Sequence, residues 1–160
     1  MTPWSTFVQV AGTAAASLIG LLFVAVSIRI DFIARSQELR NRAAQTLSLF
    51  GTVLLTAILI AIPGQATAAL GAELTALAVT AGGGLLVLDR RAKADASTQA
   101  IRKTLELITP TTIVSTLLLV SGVLLVSGVH GGLYLLIVPV LVALTGGVAS
   151  AWLFLTKITE

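Results

Sequence analysis

The first long apolar segment of the chain reads FVQVAGTAAASLIGLLFVAVSI, residues 7 to 28, and contains no charged side chain. At about 1.5 Å per residue, a helix of this length crosses the roughly 30 Å hydrocarbon core of a bilayer. Because lipid offers no hydrogen-bonding partner to the backbone, long segments of this kind cross membranes as helices. We therefore predict a membrane-spanning helix at residues 7–28.

Four further apolar segments follow, and they predict spans at about residues 46–62, 68–88, 111–129 and 133–156. The second is short and reaches the required length if its helix continues back through Ala43. Between the spans we expect cytoplasmic loops at about residues 29–45 and 89–110. The sequence thus predicts an all-α fold, a polytopic membrane helix bundle of five transmembrane helices in a single membrane domain, residues 1–160.

The composition of the whole chain agrees with a membrane location. Hydrophobic residues make up 56% of the 160 residues and charged residues 11%, with a mean hydropathy of +1.02. An ordinary soluble domain has about 25% charged residues. This composition excludes most soluble enzymes and nucleic-acid-binding proteins.

The basic residues are sorted between the two sides of the predicted membrane. All ten Lys and Arg residues follow spans one, three and five, whereas residues 1–6, 63–67 and 130–132 carry none. Since Lys and Arg are enriched in cytoplasmic loops, the N-terminus is predicted outside and the C-terminus cytoplasmic. We expect a multi-pass protein of the cell inner membrane.

Proline and glycine mark the turns and one kink in this plan. Pro63 and Gly64 predict a tight turn between spans two and three, and Gly131 and Gly132 predict one between spans four and five. Pro139 predicts a kink in span five, because proline cannot donate the helical hydrogen bond.

Small residues at four-residue spacing mark candidate packing faces on three spans, since they let helix backbones approach closely in lipid. Each seam is open to two interpretations, internal packing of the bundle or contact in a homo-oligomer, and we favour internal packing. The candidate helix-packing residues are Gly12, Ala16 and Gly20 on span one, Ala76 and Gly84 on span three, and Ala143, Gly147 and Ala151 on span five.

Polar side chains form a second stripe on spans one and two. The stripe comprises Ser5, Gln9, Thr13 and Ser17 on span one and Ser48, Thr52 and Thr56 on span two. The hydroxyl groups can bond the carbonyl four residues back, so they do not require a water path. Gln9 needs a partner in the protein or a position among the lipid headgroups.

Glu73 is the only acidic residue placed inside a predicted span, about one turn from its outer end. An intramembrane carboxylate indicates proton or cation handling, or a polar contact that holds two helices together. Its shallow depth favours the alternative, contact with water or headgroups or a hydrogen bond in the protonated form. Gln9, Gln65 and His130 are predicted at comparable depth, so with Glu73 they form a candidate polar or ion site.

The chain lacks the residue sets that enzymes and metal sites require. It contains no cysteine and one histidine, and it has no HExxH or GxSxG motif and no paired carboxylates. We therefore expect no catalytic residues, no metal site, no cofactor and no enzymatic activity. The expected partners are the lipid bilayer and either further copies of the chain or another membrane protein, and not a nucleic acid.

Three stretches carry a resemblance to known proteins. SLIGLLFVAVSIRID at residues 17–31, PGQ at 63–65 and LGAEL at 70–74 resemble small uncharacterised multi-pass bacterial inner-membrane proteins, some of them labelled membrane-protease modulators. The resemblance covers the first half of the chain. It implies a bacterial inner membrane and no particular activity.

Two classes of function follow from these observations. The first is an accessory or structural protein that packs against other membrane helices. The second is a homo-oligomeric channel or small transporter that uses the polar faces of spans one and two and Glu73. The central third of every predicted span lacks a charge, which favours the accessory class.

Overall fold

The computed structural model describes residues 4–28, 30–35, 37–94, 110–129 and 131–157, and it confirms the all-α prediction. The described residues form seven helices: α1 Ser5–Ile28, α2 Ile30–Arg35, α3 Gln37–Ala61, α4 Thr67–Ala94, α5 Pro110–Val126, α6 Gly132–Leu135 and α7 Ile137–Lys157.

Three of the described helical segments are long and apolar enough to cross a membrane, namely Ser5–Ile28, Leu39–Ala61 and Gly132–Trp152. They fit a membrane protein. The shorter helix α5 is also apolar, with 17 residues. The number of five spans stays a prediction.

The first predicted cytoplasmic segment, residues 29–45, is largely helical. This agrees with the acid-first four-residue spacing of Asp31 with Arg35 and of Glu38 with Arg42, which predicts that the helix of span one continues beyond the membrane. Helix α2 covers Ile30–Arg35, and α3 begins at Gln37, well before the predicted start of the second span. No proline or glycine lies between residues 31 and 50, so nothing in the local sequence ends a helix there. Helix α4 likewise runs on to Ala94, into the second predicted loop, of which residues 95–109 lie outside the described part. Charged residues indicate where a span leaves the membrane and not where its helix ends.

The chain divides into two compact units, and Met1–Gln65 with Ala143–Glu160 form the first. In this unit α1 packs along α3 through a face that buries Ala11, Ala15 and Leu22. A Cβ atom added at Gly12 would lie 3.3 Å from the Cβ of Ala57 on α3, so the two backbones are close there.

Helix α2 is held against the same pair of helices. Its Ile33 is buried with Leu39 of α3, and Val26 and Ala43 pack against them. This cluster, Ile33, Leu39, Val26 and Ala43, anchors α2 at the end of the unit where α1 ends and α3 begins.

Ala66–Val142 form the second unit, and an antiparallel pair of helices, α4 and α5, makes up most of it. The pair is closest at two glycines. A Cβ added at Gly71 would lie 2.7 Å from the carbonyl oxygen of Gly122, and one added at Gly122 would lie 2.5 Å from Oγ1 of Thr75. Farther along, a Cβ at Gly82 would approach the Cβ of Ser115 at 3.1 Å. Only hydrogen fits at Gly71 and Gly122.

Helix α5 ends earlier than predicted, in a left-handed glycine cap. Gly128 has a φ of 78° and donates to the carbonyl of Leu125 at 3.1 Å, and Val129 donates to that of Leu124 at 3.0 Å. This pair of bonds is the Schellman arrangement. The chain therefore turns at Gly128, before the predicted pair Gly131 and Gly132, and Gly132 is buried against Leu125 instead.

Helices α6 and α7 are separated by one residue, Leu136, which keeps helical backbone angles (φ −63°, ψ −22°), so the predicted kink at Pro139 stays a prediction. Helix α6 ends at Leu135 and α7 begins at Ile137, with Leu136 bonded back to the carbonyl of Leu133 at 3.2 Å. Pro139 has no N–H to donate to the carbonyl of Leu135, and its ring crowds that carbonyl.

Candidate functional site

Glu73 lies in the second turn of α4 and is partly buried. Gly71 and Thr75, two residues to either side, contact α5, so Glu73 lies on the opposite side of α4. Ala76, Thr80 and Gly84 lie on the same side of α4 and are exposed. Glu73 also takes part in a hydrogen bond or an electrostatic interaction. The carboxylate is thus at the margin of the helix pair and not within its packed seam.

The described residues of the candidate polar site belong to two different units. Gln9 is exposed on α1 and Gln65 is partly buried beyond the end of α3, both in the first unit, whereas Glu73 belongs to the second. His130 lies outside the described residues. The grouping of these four side chains stays a prediction.

Helix α1 carries a second stripe of small and polar residues, which its own unit leaves exposed. Its buried residues lie on the side facing α3, and the opposite side carries exposed polar and small residues. We call this exposed set the α1 polar face: Gln9, Thr13, Ala16, Ser17 and Gly20. Val24 on the same side is 58% exposed, so this side is mixed, and it is the polar members of the face that lipid does not favour.

The polar stripe of span two is oriented differently, since Thr52 and Thr56 of α3 are buried. Each donates its hydroxyl hydrogen to the carbonyl four residues back, Thr52 to Ser48 and Thr56 to Thr52, both at 2.7 Å. Thr46 bonds the carbonyl of Arg42 in the same way at 3.0 Å. The prediction that these hydroxyl groups are satisfied within their own helix is confirmed.

Half of the predicted packing residues take part in packing within the chain. Gly12 contacts α3, Ala143 is fully buried, and Ala151 is partly buried. Gly147 faces the ring of Phe50 so closely that an added Cβ would lie 2.7 Å from its Cζ. In α7 the seam therefore packs within the first unit.

The other half, Ala16 and Gly20 on α1 and Ala76 and Gly84 on α4, is exposed. None of these four residues is buried within its own unit, and both interpretations of their seams stay predictions. The reason lies in the sequence: α1 and α4 are so rich in small residues that four-residue spacing also fits a neighbouring face. The packing face of α4 instead contains Gly71, Thr75 and Gly82, which the spacing did not single out.

The described residues include no group of three or more His, Cys, Asp or Glu side chains placed to hold a metal ion. No protein-family model, curated protein or solved structure matches the chain. Inference about its function therefore rests on the residues of this chain and their geometry.

Proposed function

We propose that the chain is a multi-pass protein of the cell inner membrane with five spans, its N-terminus outside and its C-terminus cytoplasmic. The three long apolar helices and the antiparallel pair α4 and α5 support this arrangement, as does the sorting of all ten basic residues to one side. Tyr134 and Trp152 are both largely exposed, as aromatic residues at membrane interfaces commonly are.

Within that membrane, the chain acts as an accessory or structural protein that packs against other membrane helices. The observation that carries this proposal is the α1 polar face, which its own unit leaves uncovered. Gln9 in contact with acyl chains would leave an amide without hydrogen bonds, whereas a partner helix can supply them. Ala16 and Gly20 would let that helix approach closely. The partner is a further copy of the chain or another membrane protein.

The proposal is tested by placing a bulky side chain on the α1 polar face. Ala16→Leu should separate the two helices and reduce by several-fold the oligomer or partner complex recovered from a mild detergent. Ala149→Leu is the matched control, because Ala149 is an exposed alanine on α7 of the same unit. Equal recovery of the complex from Ala16→Leu and wild type would overturn the proposed use of this face.

A channel or small transporter is the second candidate, and the observation that favours it is the position of Glu73. This carboxylate shares an exposed side of α4 with Thr80, where further copies of the chain could complete a polar path. The back-bonded hydroxyl groups of Thr52 and Thr56 speak against a path along α3. Glu73→Gln keeps the size and hydrogen-bonding capacity of the side chain and removes its charge, so in proteoliposomes it should abolish cation or proton flux that depends on the carboxylate. Flux that is measurable in wild type and unchanged in Glu73→Gln would exclude that role.

A further inference from the structure

A narrow groove opens between α1 and α3 in the first unit. Its volume is about 110 Å³, and its walls are apolar on both sides. Ala43 and Ala44 of α3 have small side chains, which leaves room for the groove between the helices. Phe23 of α1, which is 59% exposed, forms part of its rim. We name it the α1–α3 groove; it is lined by Leu22, Phe23, Val26, Ala43, Ala44 and Leu47.

Arg40 lies in line with this groove. It precedes Ala43, Ala44 and Leu47 by three, four and seven residues, so all four share one side of α3. Arg40 is exposed, and its guanidinium donates to the side-chain oxygen of Gln37, one turn earlier. This bond shows that the side chain extends toward the start of α3, away from the apolar walls. Because the amide of Gln37 is neutral, this bond does not neutralise the positive charge of the guanidinium.

The spacing along α3 matches the dimensions of a bilayer. Arg40 and the last residue of the helix, Ala61, are 21 residues apart, which corresponds to about 32 Å of helix and a hydrocarbon core of roughly 30 Å. With Ala61 at one boundary, Arg40 is level with the headgroups of the other leaflet, and the groove lies just inside the hydrocarbon.

We propose that the α1–α3 groove is a binding site for an anionic phospholipid. Part of one acyl chain lies in the groove, and the guanidinium of Arg40 donates hydrogen bonds to the phosphate, with Gln37 holding Arg40 in position. Guanidinium and phosphate form strong paired hydrogen bonds, especially at the edge of a low-dielectric region. A helix, about 10 Å wide, is too broad for a groove of 110 Å³, whereas an acyl chain is slender enough.

The Ile33, Leu39, Val26 and Ala43 cluster adds to the site, because two of its members also line the groove. Helix α2 is thereby anchored beside the groove at the level of Arg40. A bound lipid would thus contact the segment that joins α1 and α3. This site is separate from the α1 polar face, so it does not depend on the proposed accessory function.

The test uses the absence of cysteine from the chain. Ser27→Cys places a single thiol at an exposed position beside the groove, next to Val26, where a fluorophore reports quenching by lipids with brominated acyl chains. The full chain is reconstituted in phosphatidylcholine vesicles with a minor fraction of either brominated phosphatidylglycerol or brominated phosphatidylcholine. We expect the anionic lipid to associate about fivefold more strongly, the effect of one basic residue near a membrane surface.

Two charge variants in the Ser27→Cys background identify the source of that preference. Arg40→Gln should remove the preference, whereas Arg42→Gln, about 160° around α3 from Arg40, should retain it. Equal quenching by the two lipids overturns the proposal, as does an equal loss in both variants, which would indicate general surface attraction.

A second measurement tests the groove itself. Ala44→Phe fills the groove from an exposed position, and Ala61→Phe adds the same bulk at the exposed far end of α3. Native mass spectrometry should show several-fold less phosphatidylglycerol retained by Ala44→Phe than by Ala61→Phe, with unchanged helical content. Equal retention by the two variants would place the lipid elsewhere.

Discussion

At the scale of single residues, two glycines of a tandem repeat have unrelated roles. The hexapeptide LLVSGV occurs twice in succession, at residues 118–123 and 124–129. Gly122 of the first copy lies in the closest approach between α4 and α5, and Gly128 of the second adopts the left-handed conformation that ends α5. Six residues turn a helix by about 600°, so the two copies cannot present the same face.

Gly122→Ala should destabilise the chain. The added methyl group would lie 2.9 Å from both the carbonyl oxygen of Gly71 and the backbone nitrogen of Thr75, which cannot move independently of α4. We expect a loss of about 1–3 kcal/mol in the free energy of unfolding, as for overpacked cores, measured by denaturant titration in detergent micelles.

Gly83→Ala provides the control for this change. Gly83 is inside α4, and no atom of the described residues lies within 4 Å of an added Cβ. Alanine should therefore stabilise the helix by up to about 1 kcal/mol. The same sign of change in both variants would contradict the close approach at Gly122.

At the scale of helices, charged residues and helix ends are independent features of this chain. Helices α2 and α3 continue through a segment that carries Asp31, Arg40 and Arg42, because helical hydrogen bonds form equally well in the interface and in lipid. Among the described residues of α2, Ile33 is the buried side chain, and it packs against Leu39 of α3.

Ile33→Ala should release α2 from α3. Removing a buried isoleucine side chain costs about 2–5 kcal/mol, and Ile33 is the side chain of α2 that packs against Leu39 of α3. Hydrogen exchange of the α2 amides should become faster, while exchange along the buried part of α3 stays unchanged. Ile30→Ala is the matched variant, since Ile30 is 55% exposed, and it should leave exchange as in wild type. Comparable acceleration in both variants would show that Ile33 does not anchor α2.

At the scale of the whole molecule, the distribution of charge determines the expected orientation. A chain with every Lys and Arg residue on one side of its membrane has one orientation that agrees with the positive-inside rule. An odd number of spans then places the two ends on opposite sides.

A reporter enzyme that is active only outside the inner membrane should be inactive when fused to the C-terminus. The same reporter fused after Gln65, in the turn that follows α3, should be active, because two spans precede that turn. A reporter that is active only in the cytoplasm should give the reverse pattern. External activity of the C-terminal fusion would refute the proposed five spans or their orientation.

The sequence by itself determined the helical class, the apolar segments and the hydroxyl bonds of Thr52 and Thr56. These features depend on residues a few positions apart, and the backbone of a helix satisfies its own hydrogen bonds whatever lies beside it. The four-residue spacing of Asp31 with Arg35 and of Glu38 with Arg42 likewise predicted that the helix of span one continues beyond the membrane, and α2 and the start of α3 agree with it.

Only the tertiary structure decided which face of each helix packs. In α1 and α4, alanine and glycine are so frequent that two faces carry small residues at equal spacing, and the sequence cannot distinguish between them. The packing face depends on the partner helix. Helix α1 packs with the side that carries Gly12 because that side fits against Ala57 of α3. Helix α4 packs with the side that carries Gly71 and Thr75 because that side fits against Gly122 of α5. These contacts join residues about 45 to 50 positions apart, so their energies come from shape complementarity between helices and not from local pattern. The α1 polar face and the α1–α3 groove likewise exist only after this choice, which is why the sequence contained their residues without revealing either surface.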